Sequence, residues 1–420
     1  MLKNFDELKE HVASLKNVKV SVALADDEVV LKAIKKATEE LNITPILVGN
    51  KKKILSIAKK LDFDLSNIEI VDESDPNLAS HKAVKLISDG KANFLMKGLV
   101  GTGTLLKAFL HKDYNLRTNK RISHVAMIDI KSLDRLIVLT DAAMNTYPNL
   151  SEKKAIVENA VEVLNALGVE RPKVAALAAV ETVNEKMPST LDAALLSKMA
   201  ERDQIKNCDL DGPLAFDIAM SEKAAHHKGI ENSVAGKADI LLVPNIESGN
   251  MIYKALAIFS ETSAAMAIVG AKVPVLVTSR SDSYMVKFYS LALCKLIAVK
   301  MIDDNYYKEV MRIIGNSIRD KKNRFQVDEE EKKKHFNPIS DHYEYKTKPT
   351  KCPECGSERI AKILYGLPSP RIHKNIHKDI EEGRVTLGGD VIDLDKVSPV
   401  WQCTGCRTRF YYKQNKDIKK

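Results

Sequence analysis

The sequence has no long apolar segment, so nothing in it predicts a membrane-spanning helix. A transmembrane helix needs about 20 mostly apolar residues, and no stretch of even about 18 uncharged apolar residues occurs in the chain. The first ten residues form a charged amphipathic pattern that lacks the apolar segment of a signal peptide. We therefore expect a cytoplasmic protein whose thiols stay reduced.

The main body also lacks an excess of positive charge, although the formal net charge of the chain is +9. About +5 of this charge lies in residues 351–420, which hold 14 Lys and Arg against nine Asp and Glu. A nucleic-acid-binding domain usually carries a basic face or stripe. The nearly balanced first 300 residues therefore do not indicate a nucleic-acid partner.

Familiar nucleotide and metal signatures are missing as well. The glycine-rich segment Met96–Thr104 is neither a P-loop nor a complete dinucleotide-binding motif. It is either a phosphate-binding loop that uses backbone N–H groups or a plain tight turn. No cluster of carboxylates has the pattern of a Mg²⁺ site, which argues against a metal-dependent dehydrogenase.

The first 300 residues do contain a regular alternation of apolar strand patterns and helix-period segments. Val18–Ala25 is typical of a strand, and Asp27–Leu41 is typical of a helix with one apolar face. Such alternation predicts an α/β protein with parallel strands and helices on both faces. Because about nine or ten strands can be recognised, we expect two doubly wound α/β lobes that face a cleft rather than one sheet.

A strand pattern at Val273–Thr278 runs directly into a polar segment. Ligands of α/β proteins bind beyond the carboxyl ends of parallel strands, and the forked guanidinium of Arg matches a phosphate or carboxylate. We therefore predict that Ser279, Arg280 and Asp282 are catalytic and hold a small anionic substrate. Asp282 either accepts a proton or orients Arg280, and the hydroxyls are alternatively caps of the next helix.

Other polar residues stand beside predicted strands, where they can contact a substrate or cap a helix. Arg117 precedes a strand, Asp141 follows another, and Asp211 lies at a predicted strand-to-helix corner. The predicted substrate-binding residues are Lys97, Gly98, Arg117, Ser123, Asp141, Asn145, Asp211 and Asn250.

Two Cys-x-x-Cys pairs in the tail have the spacing of a zinc site. Cys352 and Cys355 are separated from Cys403 and Cys406 by 47 residues, and four thiolates in two such turns can hold one tetrahedral Zn²⁺. Disulfides do not fit a reducing compartment, and redox-active thiols are the remaining alternative. We predict a structural zinc ribbon over residues 351–412.

Short segments throughout the first 300 residues resemble the phosphate acetyl/butyryl transferase family, especially its butyryl branch. The matching segments are Met96–Val100, Leu116–Thr118, Ser123–Ala126, Asn145–Pro148, Met187–Ala193, Leu196–Met199, Asp211–Ala215, Ala225–Gly229, Val234–Asp239, Pro244–Ile246, Ser248–Asn250 and Thr278–Arg280. The resemblance implies an enzyme that exchanges a short acyl group, butyryl or similar, between CoA and inorganic phosphate by direct attack.

The resemblance also implies a fold, an assembly and residue roles. The family fold has two lobes of the isocitrate/isopropylmalate dehydrogenase type with the active site in the cleft, and members form homo-oligomers. Ser279 and Arg280 correspond to the family's catalytic Ser and phosphate-binding Arg. In acetyltransferases of the family, an Asp assigned as a catalytic base stands at the position of Val286. The butyryl-type pattern Ser-Arg-x-Asp instead places a carboxylate four residues earlier, at Asp282.

The order in which the family's chain passes through the two lobes implies domain boundaries in this sequence. Residues 1–145 and 281–300 form the first predicted lobe, residues 146–280 the second, and residues 301–350 a helix and charged linker. The tail resembles small stand-alone zinc-ribbon proteins of bacteria, to which we attach no activity. Two other interpretations stay open: a phosphate acetyltransferase proper, or a zinc-ribbon protein that binds nucleic acid or a partner on a degenerate scaffold.

Overall fold

The structure is a computed structural model. It describes residues 2–260, 262–319, 336–337, 342–345, 348–354, 357–365, 385–389, 401–404 and 408–412. The chain divides into two compact units, Met1–Ile302 and Asp303–Lys420. In the described part of the chain, no helix is both long and apolar enough to cross a membrane.

The first unit alternates strands and helices. The strands are β1 (Val18–Ala23), β2 (Ile43–Gly49), β3 (Glu69–Asp72), β4 (Phe94–Lys97), β5 (Ser123–Ile130), β6 (Ile137–Thr140), β7 (Lys173–Leu177), β8 (Asp209–Leu214), β9 (Ile240–Leu242), β10 (Thr262–Val269) and β11 (Val275–Leu276). The helices are α1 (Phe5–Ala13), α2 (Glu28–Glu40), α3 (Lys51–Lys60), α4 (Pro76–Ser88), α5 (Thr102–Phe109), α6 (Leu150–Ala166), α7 (Pro188–Glu201), α8 (Phe216–Met220), α9 (Glu222–His227), α10 (Ile246–Phe259) and α11 (Tyr284–Arg319), which begins in this unit.

The helices form where the sequence supplies both an apolar face and a capping side chain. At the start of α2, the Asp27 carboxylate accepts the backbone N–H of Val30 at 2.9 Å, and Val30 and Ile34 are buried on one face. A capping box of Asn149 and Glu152 begins α6. These side chains satisfy N–H groups that have no partner within the helix.

All eleven strands of the first unit belong to one sheet, in the order β3-β2-β1-β4-β11-β10-β5-β6-β9-β7-β8. Strands β3, β2, β1, β4 and β11 are parallel to one another, and so are β6, β9, β7 and β8. Between these groups, β10 is antiparallel to β11 and to β5, and β5 is antiparallel to β6. The expectation of separate parallel sheets was therefore wrong: the sheet is single and mixed. The lobe boundaries remain predictions.

The pairing of β5 with β10 accounts for this difference. Eight residue pairs join the two strands, from Ser123 opposite Val269 to Ile130 opposite Thr262. Both strands are mostly buried and apolar. A buried apolar run does not reveal strand direction, so the sequence could not distinguish a parallel from an antiparallel partner.

The strand register aligns residues from both parallel groups in one row across the sheet. Val275 lies between Leu95 and Ile268, and Ile268 lies opposite His124. The backbone N–H of His124 donates to the Asp141 carboxylate at 2.9 Å. Strands β4 and β11 run in the opposite direction to β6, and each of the three ends within a few residues of this row.

Apolar side chains cover both faces of the sheet. Phe94 and Met96 join a large cluster with residues of α1, α2, α6 and α11. Leu95, between them, belongs to a second cluster with residues of α4 and α5, as expected for side chains that alternate along a strand. A third cluster packs α8 and α10 against the other half of the sheet. The predicted α/β class is confirmed.

The second unit contains a six-stranded sheet in the order β12-β13-β17-β16-β14-β15. Its strands are β12 (Phe336–Asn337), β13 (His342–Tyr345), β14 (Ile360–Tyr365), β15 (Val385–Gly389), β16 (Trp401–Cys403) and β17 (Arg409–Tyr412). A small core unites Tyr345, Cys352, Ile360, Cys403 and Phe410.

The predicted zinc ribbon is only partly covered by the described residues. Cys355 and Cys406 lie outside them, as does much of the predicted linker. Cys352 and Cys403 are described, and both are buried in the small core. Within the described ranges, no group of three or more His, Cys, Asp and Glu residues is placed to hold a metal ion. The zinc site therefore stays a prediction.

A fully buried lysine lies within α11. The ammonium of Lys295 donates to the carbonyl oxygens of Leu15 at 3.1 Å, Leu41 at 2.7 Å and Asn42 at 3.4 Å. These three bonds use the three N–H donors of an ammonium group. Burial lowers the pKa of Lys295 from 10.5 to about 8, because the charged form loses its hydration.

This burial predicts a pH-dependent contribution to stability. Between about pH 8 and 10.5 the folded protein releases the Lys295 proton while the unfolded chain keeps it. The unfolded state then binds more protons, so the contribution of Lys295 to stability rises with pH in that window and is constant below it. We expect the free energy of unfolding of the wild type, minus that of Lys295→Met, to rise from pH 8 upward in urea titrations. A difference that stays flat over the whole range would contradict the account.

Candidate active site

The segment between β11 and α11 forms a tight polar turn, Thr278–Asp282. The Asp282 carboxylate accepts the backbone N–H of Ser279 at 2.6 Å, and the Asp282 N–H donates to the Ser279 carbonyl at 3.3 Å. The hydroxyls of Ser279 and Ser281 lie 2.9 Å apart. Arg280 is exposed at the tip of the turn. The three predicted catalytic residues therefore share one turn that presents a guanidinium outward.

Two buried lysines lie near this turn. Lys97, the last residue of β4, and Lys287, near the start of α11, are each 5% exposed. Burial lowers the pKa of Lys97, and the charges of Lys287 and Arg280 lower it further, whereas Asp282 and Asp27 raise it. Burial also lowers the pKa of Lys287, against the opposing effect of the same two carboxylates. Three cations and two carboxylates thus form one electrostatic cluster.

Two further side chains interact with Asp282 from other elements. Burial of Tyr253 in α10 raises the pKa of its hydroxyl, and the negative charge of Asp282 raises it further. Burial of His124 in β5 lowers its imidazole pKa, while Asp141 and Asp282 act in the opposite direction. The Nδ1 atom of His124 has no hydrogen-bond partner among the described residues. Groups from β5, α10 and the turn after β11 therefore converge on Asp282.

Asp141, directly after β6, fixes the backbone beside His124. One carboxylate oxygen accepts the N–H groups of Ala143 and Met144 at 2.9 and 2.8 Å. The other accepts the N–H of His124 at 2.9 Å and the side-chain amide of Asn145 at 2.6 Å. The side chain is 2% exposed. These four bonds occupy both oxygens and favour a positioning role over direct substrate contact.

Asn145 and Ser123 belong to the same buried network. The Asn145 carbonyl oxygen accepts the Arg121 Nε–H at 2.7 Å, and Arg121 also pairs with Glu152. Ser123 is fully buried, and its hydroxyl accepts the side-chain amide of Asn159 at 2.8 Å. Both predicted contacts are therefore already bonded to neighbouring side chains in this structure.

The remaining predicted contacts lie elsewhere. Asp211 is inside β8, not at the strand-to-helix corner that the sequence indicated, and its carboxylate accepts the amide of Asn232 at 2.6 Å. The amide of Asn250, in α10, is 3.5 Å from the carbonyl oxygen of Ala142. Arg117 is exposed. Of these residues, Arg117 and Asn250 are the more exposed.

Gly98 follows Lys97 where the chain passes close to the end of β1. A Cβ atom at Gly98 would lie 2.1 Å from the carbonyl oxygen of Leu24, and the Gly98 N–H donates to the Ala23 carbonyl at 2.9 Å. Close approach of two backbone segments therefore requires glycine here. The N–H that the sequence offered to a phosphate is already used in the sheet.

A cavity of about 640 Å³ lies beside α10. Leu177 and Ile252 contribute apolar walls, and the cavity is also lined by Lys153 and Asp192, which form an ion pair at 2.7 Å. Helix α10 thus contributes Ile252 to the cavity and, one residue later, Tyr253 to the cluster around Asp282. The volume lies within the range of small-molecule sites.

Sequence reasoning did not select Lys287, Tyr253 or His124. Lys287 interrupts an apolar helical pattern, which is a detectable signal. Lys295 gives the same signal in the same helix but bonds to other carbonyl groups, so the signal does not identify a site. Tyr253 and His124 stand in apolar patterns that normally indicate core residues.

The charges define the class of ligand that this site can bind. Arg280 and Lys97 bring positive charge from two neighbouring strand ends, and the Ser279 hydroxyl adds a neutral donor. Forked guanidinium donors and an adjacent ammonium suit phosphate or carboxylate groups. Partial burial strengthens these interactions relative to water. The arrangement suits an anionic ligand.

Comparisons with known proteins agree with this class. The family model described as phosphate acetyl/butaryl transferase matches residues 75–294. The chain is 53% identical over 300 residues to a phosphate butyryltransferase of Clostridium beijerinckii, which covers 71% of this chain and 99% of that protein. It is 43% identical over 294 residues to a phosphate acetyltransferase of Thermotoga maritima, and that match covers 70% of this chain and 100% of the relative. A solved branched-chain phosphotransacylase from Enterococcus faecalis V583 matches with a TM-score of 0.61 and 36% identity, over 67% of this chain and 99% of that one.

The chain belongs to the phosphate acetyl/butaryl transferase family. The family model ends at residue 294, so it does not reach the second unit.

The packing at Gly98 predicts a position-specific loss of stability. Gly98→Ala places a Cβ atom 2.1 Å from the Leu24 carbonyl oxygen, and overpacking of this kind costs about 1–3 kcal/mol. The matched control is Gly103→Ala in α5, where no heavy atom lies within 4 Å of the added group. It should leave stability unchanged or raise it by up to about 1 kcal/mol. Equal free energies of unfolding for the two variants would show that the approach to β1 is not tight.

Proposed function

We propose that the protein exchanges a short acyl group between CoA and inorganic phosphate, so that acyl-CoA and phosphate give acyl phosphate and CoA. The observation that carries the proposal is the turn Thr278–Asp282, whose exposed Arg280 interacts electrostatically with buried Lys97 in a member of this family. Both substrates are anionic, which suits the positive charge of the site.

The proposed reaction is a direct attack within a ternary complex. A phosphate oxygen forms a bond to the thioester carbonyl carbon, and the carbon–sulfur bond then breaks. CoA leaves as a thiolate that takes up a proton. The step needs cations that hold the phosphate and donors that stabilise the oxyanion on the carbonyl oxygen.

The residues of the turn have distinct proposed roles. Arg280 binds the phosphate with its forked donors, and the Ser279 hydroxyl donates to the developing oxyanion. Lys97 adds positive charge to the phosphate from β4. One oxygen of Asp282 already accepts the Ser279 N–H at 2.6 Å, and Tyr253 interacts with the carboxylate. These contacts support the orientation of the turn as the role of Asp282, in preference to proton acceptance.

We propose a butyryl-sized acyl group. The 53% identical relative is a phosphate butyryltransferase, and the 43% identical relative is a phosphate acetyltransferase. Arg117 and Asn250 are the proposed contacts to the remainder of CoA, whereas Gly98, Ser123, Asp141, Asn145 and Asp211 are proposed to support the site through the bonds described above.

Release of free thiol from a series of acyl-CoA substrates tests this function and the role of Arg280. We expect release to require phosphate and to be fastest with butyryl-CoA in the wild type. Arg280→Ala should lose about 10²-fold or more in turnover, the scale of one lost transition-state donor. Arg280→Lys should recover little, because an ammonium lacks the fork.

The control for this series is Arg171→Ala, which removes an exposed arginine that pairs with Asp209 at 2.6 Å. It should keep wild-type kinetics. Phosphate-dependent release that is equal in Arg280→Ala and Arg171→Ala would refute the role of Arg280. Release that never depends on phosphate would refute the function.

We also propose that Cys352, Cys355, Cys403 and Cys406 hold a structural Zn²⁺. Cys352 and Cys403 are buried in one small core. Each has its backbone N–H bonded to a carbonyl oxygen five residues later, on Ser357 at 2.8 Å and Thr408 at 2.9 Å. This matching backbone bonding of Cys352 and Cys403 supports equivalent roles for the two cysteines. Four thiolates would fill the tetrahedral shell and supply folding energy to the unit.

Elemental analysis tests the zinc proposal. We expect one Zn²⁺ per chain, loss of that metal in Cys352→Ser, and unchanged metal in Cys208→Ser, which alters a buried cysteine of the first unit. A chain that ends after Arg319 should lack the metal and keep acyl transfer, because the family model ends at residue 294. Metal content that is equal in the wild type and Cys352→Ser would contradict the proposal.

We further propose a cytoplasmic homo-oligomer whose first unit is divided into the lobes 1–145 with 281–300, and 146–280. Exposed apolar side chains of α10 support an interface between copies. Met251, Ile258 and Phe259 are 65%, 72% and 86% exposed, and apolar groups left in water to this degree are typical of interaction surfaces.

A further inference from the structure

Lys287 is bonded to the back of the substrate-binding turn. Its ammonium donates to the Thr278 hydroxyl, the Ser279 carbonyl and the Asp282 carbonyl, each at 3.2 Å. These bonds use its three N–H donors, so none is left for a substrate. The residue is 5% exposed. Lys287 therefore contacts both ends of the turn while Arg280, at the tip, stays exposed.

The burial of this ammonium indicates a specific role for the group. Burial of a charge is strongly unfavourable unless it is paired and hydrogen-bonded, and most neighbouring positions of α11 are apolar. A hydrophobic residue at position 287 would avoid that cost but would leave the Ser279 and Asp282 carbonyls without this donor. The turn is otherwise closed by Asp282 itself, through its bonds to Ser279.

We propose that Lys287 is the positioning residue of the phosphate site, which holds the turn Thr278–Asp282 in the shape that directs Arg280 and Ser279 at the substrate. The inference rests on the proposed function and adds a residue that does not touch the substrate. Displacement of a substrate-positioning group by about 1 Å can cost about 10²-fold in rate. Loss of Lys287 should therefore weaken both phosphate binding and turnover.

The positive charge of Lys287 also affects the pKa of Lys97. The groups that act on Lys97 are Lys287, Arg280, Asp282 and Asp27, and Lys287 is the first of the two cations that lower the pKa of Lys97. Removal of the positive charge at position 287 must therefore raise the pKa of Lys97. If protonated Lys97 helps to hold phosphate, phosphate affinity will persist to higher pH in a neutral variant than in the wild type.

The chain offers a matched control in the same helix. Lys295 is also buried and also donates to three oxygens, but these belong to Leu15, Leu41 and Asn42, away from the turn. Lys287→Met and Lys295→Met each remove one buried ammonium from α11. A general effect on folding should appear in both, whereas a positioning effect should appear only at 287.

The experiment measures kcat, the KM for phosphate and the unfolding midpoint of both variants with butyryl-CoA. We expect Lys287→Met to lose about 10²-fold in kcat/KM for phosphate, with both a higher KM and a lower kcat, and Lys295→Met to stay close to the wild type. Lys287→Arg should restore part of the activity, because it returns a cation and donors. Lys287→Gln supplies hydrogen-bond donors but no positive charge. The pH above which the KM for phosphate rises should therefore be higher in Lys287→Gln than in Lys287→Arg.

Each other outcome counts against the inference. Wild-type kinetics in folded Lys287→Met, or an equal loss in Lys295→Met, would overturn it. If all three variants at 287 failed to fold while Lys295→Met folded, Lys287 would be a folding residue and the proposal would fall. A wild type without phosphate-dependent thiol release would refute the proposed function itself, which separates that failure from a failure at Lys287.

Discussion

The antiparallel pairing of β5 with β10 is the constraint on which the site depends. Eight consecutive residue pairs fix the register of two buried strands, and a slip by one residue would turn every side chain to the opposite face. The same slip would remove His124 from its place opposite Ile268. This pair lies between the two parallel groups of strands, which run in opposite directions, with Lys97 in one group and Asp141 directly after a strand of the other.

The site balances a group of like charges within a partly buried environment. Lys287 is compensated by three oxygens at 3.2 Å. Among the described residues, Lys97 donates to two more distant oxygens, the carbonyls of Gly98 at 3.5 Å and Val100 at 3.3 Å. Arg280 remains in water. A bound anion would relieve the repulsion among these cations, so the same arrangement that lowers the pKa of Lys97 favours phosphate. The charge is thus compensated most completely at Lys287, which is proposed to position the turn, and least completely at Lys97 and Arg280, which are proposed to bind phosphate.

Several elements could be predicted from the sequence because their causes are local. The polar turn after β11 follows from an apolar strand that runs into Ser279 and Arg280, and the caps of α2 and α6 follow from Asp27 and Asn149. Long-range contacts have no such signal. Nothing local shows that Asp141 lies beside His124 or that Ser123 bonds to Asn159, and the Gly-Pro pair after Asp211 suggested a corner where the structure has a strand. Gly98 was predicted to contact a substrate, whereas the structure shows a close approach to the Leu24 carbonyl oxygen, which only the fold reveals.

The central claim is that the turn Thr278–Asp282 and the end of β4 together form the phosphate site. A crystal structure of the protein with bound phosphate tests this most directly. The account predicts one anion within hydrogen-bond distance of the Arg280 guanidinium and the Lys97 ammonium, with Lys287 still bonded to the back of the turn and not to the anion. An anion bound elsewhere, with Arg280 and Lys97 both away from it, would contradict the account.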